Sequence, residues 1–206
     1  SSLQGIHAII VTVEVNIDQG INFLLVGLPD SAVKESQQRI DAALRNNGYK
    51  IPGKKVVINM APADIRKEGS AYDLTLAIGI LAASEQINQE HVGEYIILGE
   101  LSLDGTLMPI KGALPIAIEA KKQGFKGFIL PKMNEREAAI VNGLDVYGVS
   151  NSKEVIDFFN DTSTLQPVVI DTGLEFQHSV DNYEFDFSDV KGQENIKRAL
   201  EISAAG

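Results

Sequence analysis

Ala61-Pro62-Ala63-Asp64-Ile65-Arg66-Lys67-Glu68-Gly69-Ser70-Ala71-Tyr72-Asp73-Leu74 runs from a charged loop straight into an apolar helix, and it decides how the chain is organised. From Ser70 to Ala83, Leu74, Ile78 and Leu81, with Ala71 and Ala77 beside them, describe a helix that is apolar over most of its circumference. Such a helix has no face to give to water, so it predicts a central core element. Ser70 opens this segment directly after a glycine, which predicts a serine N-cap.

Upstream, residues 6–15 alternate loosely and are rich in β-branched side chains, and residues 22–26 repeat the character, which predicts two strands joined by an Asp18-Gln19-Gly20 turn. After Gly27-Leu28-Pro29, Asp30 or Ser31 caps a helix that stops at Asn46-Asn47-Gly48, and Lys54 to Met60 reads as a strand. Downstream, Tyr95–Leu98 and Thr106–Ile110 flank Asp104-Gly105, the signature of a β-hairpin. Helix 113–123, strand 127–130, a short helix after Asn134, strand 145–149 and helix 152–159 then alternate, which implies locally parallel pairing. The expected domain is residues 1–160. An acidic linker over 161–187 follows, and residues 188–206 read as the start of another domain.

The 206 residues, 44% of them hydrophobic, suffice for a sizeable core. There is no cysteine, which excludes disulfides and thiolate chemistry, and the three histidines are scattered, which argues against a metal enzyme. No leader or membrane-length apolar run is seen, which predicts a cytoplasmic protein without membrane contact. The opening Ser1-Ser2 without methionine predicts a trimmed or replaced end. A net charge of −10 disfavours nonspecific nucleic-acid binding by the whole surface. A basic stretch from Lys34 to Lys67 is the local exception.

Four constellations carry candidate chemistry. Gly48, four residues, then Gly53-Lys54 imitates a phosphate loop, but Lys55 stands where the magnesium-binding hydroxyl belongs and a helix precedes it, so the chance reading is preferred. Gly27-Leu28-Pro29 before a capped helix is an anion cradle or, more simply, a strand-to-helix turn. Glu68 with Asp73 is a candidate acid/base pair, and His178 with Asp181, Glu184 and Asp186 a candidate cation cluster whose plainer reading is solvated linker.

The quoted stretch, together with Val26-Gly27-Leu28-Pro29-Asp30, Val33-Lys34-Glu35-Ser36 and Leu98-Gly99-Glu100-Leu101-Ser102-Leu103-Asp104-Gly105, closely resembles the amino-terminal domain of the ComM (YifB) family of Mg-chelatase-like AAA+ ATPases. The likeness resumes at Phe187-Ser188-Asp189-Val190-Lys191-Gly192-Gln193-Glu194, which resembles the opening of that family's AAA+ module. It implies a two-layer α/β domain of the Lon-protease-like type, with a mixed sheet and helices mainly on one face, and a chain truncated before Walker A. For the full-length protein it implies ATP and magnesium as cofactors, the AAA+ module of the same chain as partner, a homo-oligomer expected to be a hexamer, and DNA branch migration or recombination during transformation. This fragment is then a non-catalytic binding or assembly domain.

Two alternatives come with the resemblance: a Lon-like serine peptidase, and a Mg-chelatase-type ATPase subunit acting in metal insertion. A Lon dyad needs a serine and a lysine base. Matching Lys67-Glu68-Gly69 to the Lon motif places Ala71 at the nucleophile position, and matching Met108-Pro109-Ile110 places Leu114 at the lysine position. No catalytic, cofactor or metal residue is therefore expected. The candidate DNA or subunit contacts are Arg45, Lys54, Lys55, Arg66 and Lys67.

Overall fold

The structure is a computed structural model that describes residues 2–4, 7–170 and 190–205. It divides into two compact units, Ser1–Val169 and Ile170–Gly206. The cation cluster at His178 and most of the acidic linker lie outside the described residues.

In the first unit β1 (Ser2–Gln4) pairs antiparallel with β2 (His7–Ile9). β3 (Thr12–Asp18), β4 (Phe23–Val26) and β5 (Lys55–Ala61) form a mixed sheet in the order β3-β5-β4, antiparallel on the β3 side and parallel on the β4 side. The predicted strand over residues 6–15 is thus broken at Ile10 and Val11, and its second half runs on to Asp18. Alternation along β3 turns Val13, Val15 and Ile17 to the core and leaves Thr12, Glu14, Asn16 and Asp18 exposed. On β5 the inward residues Val56, Ile58 and Met60 are fully buried.

The helix α1 (Ser31–Asn46) starts where expected: Asp30 is its N-cap and accepts from the Val33 amide at 2.8 Å. It buries Val33, Ile40, Ala43 and Leu44. The central helix α2 (Asp73–Ala83) packs on β3 and against α1. Leu74, Leu76, Ile80 and Leu81 on it have no exposed surface, as an all-apolar helix requires. Its start corrects the sequence expectation. Residues Ser70–Tyr72 form a single 3₁₀ turn, and Ser70 makes no capping bond. Its hydroxyl donates instead to Glu100, a partner thirty residues away in sequence.

β6 (Tyr95–Ile97) does not belong to the hairpin expected from Asp104-Gly105. It pairs in parallel with β9 (Gly127–Pro131), which pairs in parallel with β10 (Asp145–Val149). The hairpin is smaller, joining β7 (Glu100–Leu101) to β8 (Leu107–Met108). The Leu98 amide is committed to the Ile129 carbonyl at 3.0 Å, so the pairing partner of this segment comes from further along the chain. α3 (Ala113–Lys122), α4 (Glu135–Ala139) and α5 (Ser152–Phe159) complete the alternation, with α4 and α5 packed on β10. α5 carries a capping box in which Asn151 and Glu154 satisfy each other's backbone amides. The mixed pairing expected for the domain is therefore divided between two three-stranded sheets.

The first unit extends past Phe159. The Val168 amide donates to the Val146 carbonyl at 2.8 Å, which lays the following segment along β10. In the second unit α6 (Glu194–Ala205) lies in the 188–206 segment read as the start of another domain, with Ile196, Leu200 and Ile202 exposed. No described helix is long and apolar enough to cross a membrane.

Candidate functional site

Three of the sequence segments quoted above, 26–30, 61–74 and 98–105, meet at one place in the first unit. Gly27 has φ +97°, and a Cβ there would sit 2.1 Å from the Met60 carbonyl oxygen, so only glycine lets β4 turn this close to β5. The turn delivers Asp30, whose carboxylate does two jobs. One oxygen caps α1, and the other accepts from the Gly69 amide at 3.0 Å. Between them Lys67 lies parallel to Pro29: its amide donates to the Leu28 carbonyl at 3.1 Å, and its carbonyl accepts from the Asp30 amide at 3.0 Å. The loop before α2 is thereby fastened to the start of α1.

A second tie is electrostatic. Arg39 on α1 grips the fully buried Asp73 at the start of α2 with two bonds, Nε at 2.6 Å and Nη2 at 2.9 Å, and also donates to the Ala32 carbonyl. Asp73 further accepts from the Leu101 amide of β7 at 3.2 Å. Burial pushes the Asp73 carboxyl above its ordinary value while Arg39 pulls it back, and the same bond to Asp73 raises the Arg39 guanidinium. The candidate pairing of Glu68 with Asp73 does not occur. Asp73 is spent on Arg39 and Leu101, and Glu68 is exposed beside Arg66 at 3.4 Å.

These ties frame a cleft of about 700 Å³, bordered by the 64–72 loop and turn, Leu98, Glu100, residues 109–111 and Ile116. Ser70 and Glu100 are hydrogen-bonded within its lining. Ala71, at the position matched to the Lon nucleophile, also lines it and brings no hydroxyl. Leu114 stands in the first turn of α3, its amide bonded to Glu137 at 3.0 Å, and offers no base.

The five candidate contacts differ in their exposure. Arg45 is exposed near the end of α1 and pairs with Asp41 at 3.0 Å. Lys54 is exposed just ahead of β5, and Lys55 is partly exposed in it. Arg66 is exposed at the cleft. Lys67, its neighbour, is a correction: it has no exposed surface, and its ammonium donates to the Pro62 carbonyl. Burial lowers its pKa, opposed by the nearby Asp64 charge. A side chain so placed cannot touch a phosphate from solution. Sequence reasoning passes over Arg39 and Lys111, and it reads Asp30 only as a cap, without its bond to Gly69. A charged residue opening an all-apolar helix, Asp73, is the available signal that a cationic partner must be packed nearby.

The residues present do not fit a bound nucleotide at Gly48–Lys54. The strand β5, rather than a helix, follows that loop, so no helix N-terminus faces it. Among the described residues no group of three or more His, Asp or Glu side chains is arranged to hold a metal ion.

Comparison with known proteins gives the same picture as the motifs. The chain is 43% identical over 205 residues to Uncharacterized protein YifB of Escherichia coli (strain K12), covering 98% of this chain and 39% of that protein. It is 38% identical over 206 residues to Competence protein ComM of Haemophilus influenzae, covering 98% of this chain and 40% of that one. Lon protease 2 of Bacillus subtilis is 30% identical over 128 residues, covering 62% of this chain and 23% of the protease. The chain thus spans about two fifths of the curated relatives it matches over nearly its whole length. The family model described as subunit ChlI of Mg-chelatase matches residues 13–134, the part that holds both the Arg39–Asp73 tie and the cleft, and the chain belongs to that Mg-chelatase-like family.

Proposed function

We propose that this domain is the non-catalytic binding and assembly part of a ring-forming AAA+ ATPase similar to ComM, working in DNA branch migration or recombination during transformation. The observation that carries the proposal is the likeness to ComM across 98% of this chain, α6 included, within a relative some two and a half times as long. The absence of a hydroxyl on Ala71 and of a base at Leu114 supports a binding rather than a cleaving role. ATP and magnesium, a hexameric homo-oligomer, the AAA+ module of the same chain and a cytoplasmic location are parts of this one proposal.

DNA contact in the ring falls to Arg45, Lys54, Lys55 and Arg66, because Lys67 is buried. A few phosphate contacts per subunit bind weakly, and repetition around a ring multiplies them. Replacing the four by Ala in the full-length protein weakens DNA binding and flattens its salt dependence by about 0.9 in logarithmic slope for each phosphate left without its cation. Unchanged affinity and slope, in a variant shown to assemble normally, would remove DNA contact from this domain.

A further inference from the structure

The backbone bonds of Lys67 and Gly69 all lie on one edge of the loop before α2. Lys67 spends both its amide and its carbonyl on Leu28 and Asp30, and the Gly69 amide turns the same way, to the Asp30 carboxylate. In an extended chain the peptide groups of alternate residues point to opposite edges. The groups of Glu68 therefore point away from residues 28–30, and Glu68 lines the cleft. A second border repeats the arrangement. The side chain of Asn134 occupies both backbone groups of Ile110, accepting from its amide at 2.9 Å and donating to its carbonyl at 2.9 Å. This turns the flanking groups of Pro109 and Lys111 away from Asn134, and both residues line the cleft.

Between these borders the part-exposed Ala71 supplies apolar surface, with the buried Leu98 and Ile116 as the floor beneath it. Lys111 is exposed at the cleft and makes no ion pair among the described residues. Open strand edge, apolar lining and an uncompensated cation together describe the needs of one kind of ligand.

We propose that the cleft binds an extended polypeptide segment, added as a strand along the Glu68 edge, with alternate apolar side chains against Ala71, Leu98 and Ile116 and an acidic residue at Lys111. Strand addition draws affinity from main-chain hydrogen bonds and selectivity from the pockets that receive every second side chain. The small side chain of Ala71 leaves the room such a side chain occupies. The inference rests on the reading of the domain as a binding module that does not cleave.

The test is fluorescence-anisotropy titration of the 206-residue protein with fluorescein-labelled Thr-Leu-Thr-Leu-Thr-Glu, with mass spectrometry of the peptide afterwards. Saturable binding is expected, roughly tenfold weaker for Ala71→Leu and for an analogue N-methylated at alternate backbone amides. Lys111→Glu weakens the same peptide and is rescued by the analogue ending in Lys. Lys34→Glu, on the exposed face of α1, leaves binding unchanged. Absence of saturable binding, or equal binding by the N-methylated analogue and by a normally melting Ala71→Leu, overturns the inference and leaves the family reading intact. Binding followed by cleavage supports the cleft as a peptide site and overturns the non-catalytic reading instead.

Discussion

The two three-stranded sheets are built from similar β-branched residues and end in opposite situations. All five residues of β9 are buried, and β6 is buried throughout, as expected of parallel strands enclosed on both faces. The β3-β5-β4 sheet keeps one face open: Glu14 and Asn16 lie outward on β3, and Leu24 and Val26 are 44% and 46% exposed on β4. The parallel sheet is thus held by packing on both faces, whereas the mixed sheet is packed on one face, and the loops and helices that follow its strands are tied together by Asp30, Arg39 and Lys67. One region fixes the core, and the other positions the cleft.

The largest effect expected from this contrast is at Phe128, the second residue of β9, which has no exposed surface. Phe128→Ala costs about 3–5 kcal/mol in denaturant unfolding, through reduced burial and the cavity left behind. A loss under about 1 kcal/mol would mean that the parallel sheet is loosely packed.

Next comes the tie between α1 and α2. Arg39→Ala strands a buried carboxylate and costs about 3 kcal/mol near neutral pH. Without its partner, Asp73 titrates higher in the folded than in the unfolded chain, so the folded variant holds more protons. Its stability is retained below the unfolded value of 3.8 and lost as pH rises through that window. The deficit against the parent protein therefore shrinks toward acid. A deficit independent of pH would place the cost in packing rather than in charge.

The smallest effect belongs to the open face. Leu24→Thr combined with Val26→Thr changes stability by no more than about 0.5 kcal/mol. A loss of several times that would reveal that something covers this face in solution.

Much of this is legible in the sequence because it is local. The period of Leu74, Ile78 and Leu81 and the cap at Asp30 act within a few residues. What is not legible depends on distant partners. Tyr95–Ile97 reads like half of a hairpin because its true neighbour, β9, lies some thirty residues on. Ser70 reads like a cap because nothing nearby announces Glu100. Lys67 reads as a surface residue beside Arg66 because lysine is almost never fully buried. Of the site, the sequence locates the 61–74 segment, while the strand edge beside it needs the bonds of Lys67 and Gly69 to be seen.

The burial of Lys67 also makes it a clock. An amine-reactive reagent meets the exposed Lys111 of the cleft at once, but it reaches the Lys67 ammonium only when the loop from Pro62 lifts away. The rate of its modification, read against Lys111 in the same molecule, therefore measures how often the loop opens. A ligand that clamps the cleft would slow that clock without touching the residue that keeps it.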